Sequence, residues 1–277
     1  MLSYQHSYHA GCFADVMKHA LLTRILNYLI KKDKPLLYLD THAGRGLYNL
    51  QHEHALKTHE AKAGILPLWE NRTQLSPLFS NYLETINRVN SSNALNYYPG
   101  SPEIALQLLR QQDRLVFCEL HPSEFDYLAQ ISFHGHQGYV TKEDGLKNLN
   151  ALLPPIERRG LVFIDPSYER KIEYQEVTKA IKAAYKKSPT MTYCLWYPLI
   201  DNQLPPQFVN NLEAIAPTNY LRLEFYTHAT TKGMTGSGLW IINPPYVLAE
   251  EGEKMLQELS KIIQSDSASY LVEQKTT

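Results

Sequence analysis

Residues 161–168 read LVFIDPSY, four apolar residues followed by Asp165, Pro166, Ser167 and Tyr168. The run is opened by Gly160 and does not alternate. It therefore fits a central parallel strand covered on both faces, not a strand with one wet side. Such a strand requires an open α/β sheet with helices on each face, and in these sheets ligand chemistry collects at the carboxyl ends of the strands. Asp165 falls at that end. Pro166 fixes its own φ near about −65° and biases Asp165 towards an extended backbone, so the carboxylate and the following carbonyl converge on one point. The same letters also suit a plain turn in which Asp165 only caps the end of a strand.

The other apolar runs repeat this arrangement. Residues 35–40 (PLLYLD) read as a first strand, and THAGRG follows at once over 41–46. Glycines directly after a strand let the backbone approach a ligand closely, which makes Asp40, His42 and Gly44 candidate contacts. The turn lacks the third glycine of a dinucleotide fingerprint and the G-K-[ST] of a phosphate loop. NAD and ATP are thereby disfavoured relative to a sulfonium nucleoside, whose methionine end Asp40 and His42 would border. Residues 114–119 (RLVFCE) form a second strand ending in Glu119, a carboxylate able to accept from two ribose hydroxyls. A third strand over 137–141 leads to Asp144, placed to accept from an adenine amino group, and Gly145, which leaves room for the ring. Between the first two strands, YYPGSP turns into a helix with Ser101 at the N-cap and Pro102 at the first helical position. A hydroxyl or N–H of Ser101 can touch a cofactor carboxylate there.

Beyond Tyr168 the pattern gives a helix over 174–187, a strand over 191–196, a helix over 206–214 and strands near 221–226 and 238–243. The expected fold is therefore α/β and Rossmann-like, with a seven-stranded, mostly parallel sheet whose last two strands form an antiparallel end. Residues 1–50 and 95–277 make up this core, with an arm over 1–13. The arm runs into a helix whose buried stripe is Val16, Ala20, Leu21, Ile25 and Leu29. Lys18 and His19 lie near its start, where they can face a ligand under the arm; a structural histidine is the plainer alternative. Residues 51–94 change character and read as a helical insertion subdomain, with helical patterns at 64–70 and 78–89. His52, His54 and His59 fall inside it, but HEHALKTHE does not match H-E-x-x-H, so a solvated loop is expected and no metal. A glycine-rich loop over 230–238 is placed to move over a substrate.

An Asp-Pro-x-aromatic turn suits transfer to an exocyclic amine. Adenine N6 is delocalised into the ring, and a carboxylate with a backbone carbonyl can hold its N–H groups while Tyr168 stacks on the base. The turn resembles the (Asp/Asn)-Pro-Pro-(aromatic) signature of amino-directed, S-adenosylmethionine-dependent methyltransferases, with Ser167 in place of the second proline. Asn243-Pro244-Pro245-Tyr246 spells that signature more faithfully, but it follows the terminal strand, outside the expected order.

The opening LSYxHxxHAGxxADVxKH, YLDTHAGxGxY, YYPGSP, ELHPS, RRGLVFIDPxY and the late KGMTxSG and INPP together resemble the RlmJ family of 23S ribosomal RNA adenine-N6 methyltransferases. The resemblance spans nearly the whole chain. It implies a class I methyltransferase core, S-adenosylmethionine as methyl donor and one adenine of 23S rRNA as target. It puts His19, His42, Ser101, Glu119, Asp144, Gly145 and Asp165 at the cofactor, makes Asp165 the catalytic acceptor, and places Tyr4 near the RNA. Departures from the family pattern are Cys12 for asparagine, Arg45 for a small residue in the glycine turn, and Ser167. Arg45 is expected to narrow the cofactor opening or reach a phosphate.

Composition bounds the partners. The net charge of −1 does not advertise a polyanion, yet Arg158-Arg159, Arg170-Lys171 and Lys179, Lys182, Lys186 and Lys187 flank LVFIDPSY. They read as ordinary solvated helix faces or as phosphate contacts. Three separated cysteines without CxxC spacing and no secretory leader point to a reducing cytoplasm, and no apolar run approaches the roughly 20 residues of a membrane span. Same-chemistry rivals are DNA adenine or protein glutamine methylation. A non-catalytic RNA-binding relative is the rival of another class. Because a base must leave its stack to react, protein-free or early-assembly RNA is the expected substrate.

Overall fold

The computed structural model describes residues 4–90, 94–201, 204–216, 218–227, 233–263 and 268–276. Its ten strands are β1 (Leu37–Asp40), β2 (Leu47–Asn49), β3 (Tyr97–Pro99), β4 (Arg114–Cys118), β5 (Gln137–Thr141), β6 (Gly160–Ile164), β7 (Thr192–Ile200), β8 (Asn219–Tyr226), β9 (Met234–Ile242) and β10 (Ser269–Thr276). Eight of them form one sheet in the order β10-β8-β9-β7-β6-β1-β4-β5, and β2 pairs separately with β3. β1 lies parallel between β4 and β6, and β7 parallel to β6. β9 runs antiparallel between β7 and β8. The class is Rossmann-like, as expected, but the sheet has eight strands, not seven. The additional β10 runs antiparallel to β8 at the edge.

The central strands are non-alternating because both faces are covered. Tyr38, Leu115, Phe117, Leu161 and Phe163 point into one apolar cluster, while Leu37, Leu39, Val116, Val162 and Ile164 point into the other. Each large apolar side chain buried this way stabilises the fold by about 1.5–3 kcal/mol. The first cluster is roofed by α1 (Phe13–Leu29), and three further α-helices precede β3: α2 (Glu53–Thr58), α3 (Ile65–Glu70) and α4 (Ser80–Arg88). Then come α5 (Ser101–Leu108), α6 (Pro122–Leu128), α7 (Gly145–Leu152), α8 (Glu173–Lys187), α9 (Pro206–Glu213) and α10 (Leu248–Ile263). Residues of α1, α3, α4, α5 and α10 join the first cluster, and residues of α7, α8 and α9 join the second.

Two consequences bear on the site. First, α1 is buried on nearly every side, from Ala14 to Thr23 and again at Ile25 and Leu26, so it carries Asp15, Lys18 and His19 into the interior. A single stripe was expected; the reason for the difference is that α5 and α10 flank α1 while Ile65, Leu68, Tyr82 and Ile86 of the 51–94 segment complete the same cluster. Second, that segment is closed at its base by the short β2–β3 ladder and by Leu50 N–H donating to the Asn96 carbonyl at 2.8 Å. His52 is not in a solvated loop but caps α2, accepting from the His54 amide. Of the expected glycine-rich loop, residues 230–232 lie outside the described residues, and Met234 to Gly238 belong to β9. No described helix is long and apolar enough to cross a membrane.

Candidate active site

The chain passes from β1 to β4 and β5 on one side, then to β6 and β7 on the other. The carboxyl ends of β1, β4 and β6 therefore border the point where strand order reverses, the place open α/β sheets use for ligands. A cavity of about 730 Å³ opens there. Its walls include His42 and Gly44 after β1, Glu119 after β4, Asp144 and Gly145 after β5, and Asp165, Pro166 and Tyr168 after β6. Tyr4 of the arm, Lys18 and His19 of α1, and Ser101 of α5 complete them. Residues scattered from position 4 to 168 are thus brought together by topology.

Asp40 is the exception. It sits fully buried at the end of β1, behind the wall, where its carboxylate accepts from Tyr38 Oη at 3.1 Å and the His42 amide at 3.3 Å. Burial raises its pKa to about 7 against the hydrogen bond from Ser101. It supports the wall without bordering the cavity. Ser101 also differs in detail: Gly100 occupies the N-cap and Ser101 begins the helix, because Gly100 is extended and its carbonyl accepts the first helical bond from Ile104.

Asp165 is held by a buried lysine. Lys18 Nζ lies 2.6 Å from Asp165 Oδ2 and 2.8 Å from Asp15 Oδ1, with only 4% of the lysine side chain exposed. Asp15 in turn accepts from the Gly11 amide at 2.8 Å and lies 2.9 Å from His6 Nε2, and His6 Nδ1 is 2.9 Å from Tyr4 Oη. Polar contacts therefore run unbroken from Tyr4 of the arm to Asp165. Burial alone would raise the Asp15 carboxyl, but His6 and Lys18 hold it well below the usual carboxylate range. Burial would likewise lower the Lys18 ammonium, and the two aspartates outweigh it and raise the value. The lysine stays charged because it compensates both acids.

On the other side of the cavity, Glu119 Oε2 accepts from the Gly44 amide at 2.8 Å and Oε1 from the His121 amide at 2.6 Å. Burial raises the pKa of this carboxyl against those two bonds. Asp144 caps α7, with Oδ1 accepting from Leu146 and Lys147 amides at 3.1 and 3.3 Å. A Cβ on Gly145 would stand 2.2 Å from the Thr41 carbonyl oxygen, so only glycine lets α7 start this close to the β1 turn. Burial lowers the His19 imidazole to about 3 and His42 to about 4, leaving both neutral at pH 7. His19 Nδ1 lies 2.8 Å from Tyr98 Oη, which is linked in turn to Tyr82 Oη.

Tyr168 adopts φ +53°, a conformation that side chains of its bulk seldom take. Its hydroxyl donates to the Trp196 carbonyl at 3.0 Å and its ring packs 4.4 Å from that of Tyr174. The ring is therefore fixed in the wall beside Trp196, whose own face lies 5.2 Å from Lys18 Nζ. Asn243 sits elsewhere. Ile242 of β9 pairs with Tyr193, at the start of β7, and Asn243 Nδ2 donates to the Pro189 and Met191 carbonyls, both at 2.7 Å. The second proline motif thus lies at the pole of the sheet opposite Asp165, with its amide nitrogen taken by backbone carbonyls and its oxygen accepting from Asn219 Nδ2 at 2.8 Å.

Asp15, His6, Trp196 and Glu124 line the same cavity and were not singled out from sequence. Asp15 left one signal, an acid three residues before Lys18 on an otherwise apolar helix. Arg45 does not line the cavity; it pairs with Glu124.

A family model described as Ribosomal RNA large subunit methyltransferase D, RlmJ, matches residues 33–276. The chain is 43% identical over 266 residues to Ribosomal RNA large subunit methyltransferase J of Escherichia coli (strain K12), covering 95% of each. It is 42% identical over 277 residues to the protein of the same description from Haemophilus influenzae, covering 99% of this chain and 98% of that one. A crystal structure of a Legionella pneumophila protein superposes with a TM-score of 0.93 at 47% identity, over 97% of this chain and 99% of that one. A family model and relatives that match along nearly the full length of both chains leave one assignment: this chain belongs to the RlmJ family of large-subunit ribosomal RNA methyltransferases.

Proposed function

We propose that this protein transfers the methyl group of S-adenosylmethionine to N6 of one adenine in 23S ribosomal RNA. The observation that carries the reading is that Asp165, paired to Lys18, opens into the same cavity as Glu119 and the glycine turn. Relatives described as large-subunit rRNA methyltransferases supply the substrate class.

The residues fit that donor. Each Glu119 oxygen accepts one backbone N–H and retains a lone pair for a ribose hydroxyl. Asp144 and Gly145 border room for an adenine ring, and Ser101 at a helix start offers a donor to a carboxylate. His19 and His42, both neutral, put no positive charge against a sulfonium. When bound, S-adenosylmethionine supplies an electrophilic methyl carbon. The chain's own groups do the rest. Lys18 engages Asp165 Oδ2, which leaves Oδ1 and the Pro166 carbonyl to accept the two N6 hydrogens. As the nitrogen gains its carbon substituent and becomes positive, these two oxygens face the new charge, and the surplus proton leaves through Asp165 to water. The Tyr168 ring, fixed by its hydroxyl, offers a face to the extruded base.

Within this proposal Tyr4 and the helical insertion of residues 51–94 meet the RNA. Extrusion costs a few kcal/mol and least for an unpaired base, which favours protein-free or partly assembled RNA in the cytoplasm over a finished subunit. The test is tritiated methyl transfer onto protein-free 23S rRNA from a strain lacking this protein, followed by nucleoside mapping. The expected product is N6-methyladenosine at one position. Label that appears only on DNA or on protein in parallel reactions, or nowhere, would overturn the proposal.

A further inference from the structure

The turn over 41–46 has an unusual centre. Gly44 and Gly46 adopt φ +63° and +83°, and Arg45 lies between them. Two glycines in the left-handed region make the turn costly to order, since glycine has the most conformational freedom to lose. Yet this backbone must present the Gly44 amide to Glu119 Oε2. The turn is tied on one side by the Gly100 amide, which donates to the Gly46 carbonyl at 2.7 Å. On the other side the tie is Arg45.

Arg45 Nε and Nη2 donate to the two Glu124 oxygens at 2.9 and 2.5 Å, a bidentate pair with 11% and 3% of the side chains exposed. The guanidinium also lies 4.5 Å from the ring centre of Tyr127 and 5.9 Å from that of Tyr48, and the Arg45 amide donates to Tyr48 Oη at 3.3 Å. The fork geometry, with two aromatic rings close to the guanidinium, fixes the arginine in a way a lysine cannot match. Glu124 and Tyr127 belong to α6, the helix that begins just after the His121 amide, the other donor to Glu119. The pair therefore joins the two backbone segments whose N–H groups orient the Glu119 carboxylate.

We propose that Arg45 is a positioning residue: its clamp on Glu124 holds the glycine turn and α6 at the separation that Glu119 needs to receive the ribose of the cofactor. The inference rests on the functional reading above. It assigns to Arg45 neither a phosphate contact nor a narrowing of the cavity, but control of cofactor affinity from behind the wall. Removing the arginine also leaves the Glu124 carboxylate buried and uncompensated near Glu119.

The experiment measures S-adenosylmethionine affinity by titration calorimetry, and kcat on protein-free 23S rRNA, for the full chain, R45A, R45K, E124A and R45A/E124A. Circular dichroism and Tm establish that each is folded at the assay temperature. R45A weakens cofactor binding about tenfold, as expected for a coupled pair, while kcat at saturating cofactor falls much less. R45K is intermediate. The double variant is no weaker than R45A, because both singles break one contact. Unchanged affinity in folded R45A, or additive losses in the double variant, would overturn the clamp alone. Failure of the unmodified chain to bind S-adenosylmethionine would instead overturn the functional reading, and the clamp with it.

Discussion

Replacing Asp165 with asparagine separates the chemistry from the architecture. Asparagine has the same shape, so the turn set by Pro166 survives, but the negative charge and the 2.6 Å ion pair with Lys18 are lost. Lys18 keeps Asp15 at 2.8 Å and is not stranded as a lone buried cation. The stability loss should therefore resemble that of one charge-assisted hydrogen bond, about 1.5–3 kcal/mol, and not the roughly 3–5 kcal/mol of a fully broken buried pair. The rate suffers more. An acceptor aimed at charge developing in the transition state is worth about 2.7–4 kcal/mol, or roughly 100- to 1,000-fold. The assay is single-turnover methyl transfer at saturating cofactor, with cofactor affinity measured separately by calorimetry. Affinity should hold while the rate drops. An undiminished rate would refute the acceptor role, and a fall in affinity equal to the fall in rate would recast Asp165 as a binding group only.

Other perturbations probe the rest of the cavity. Glu119→Ala should weaken S-adenosylmethionine binding measured by calorimetry, because the Gly44 and His121 amides lose their shared acceptor; unchanged affinity would remove Glu119 from the ribose site. Gly145→Ala should lower stability by about 1–3 kcal/mol, read as a drop in Tm, since the new methyl would meet Thr41 backbone at 2.2 Å. The His19 ring has a folded value near 3, below its ordinary 6.5. Its contribution to stability is therefore complete above about pH 6.5 and lost as pH falls towards 3. A Tm-against-pH profile for His19→Gln should be flatter than that of the unmodified chain over this window; parallel profiles would contradict it. Asn243→Ala should lose stability but keep full transfer per folded molecule, and loss of transfer on the scale of Asp165→Asn would move the chemistry to the other proline motif.

The strands that carry the site were legible because both of their faces are buried. LYLD, RLVFC and GLVFI lack alternation, and each ends where a glycine or an acid interrupts the apolar run. β10 was not legible for the opposite reason. SYLVEQKT lies at the sheet edge, half exposed, and its mixed composition has neither a clean period of two nor an apolar run. The wall residues after each strand could be named from their order along the chain. What could not be named were partners distant in sequence. Nothing local to Lys18 announces Asp165, 147 residues away, and Asp40 looks like a wall residue until the Tyr38 hydroxyl is seen to turn its carboxylate inward. Arg45 reads as a residue that narrows the cofactor opening or reaches a phosphate, and only the packing of α6 shows that its charge is already matched.

The reversal of β9 has a consequence for how short signatures are compared. Read as letters, NPPY is the better match to an amine-binding turn, but a pattern has no direction until the strand before it is oriented. Here that strand points away from the cavity. A survey that ranks candidate catalytic turns by fidelity of spelling would choose a turn tied to the opposite end of the sheet, and would discard the imperfect copy that faces the cavity.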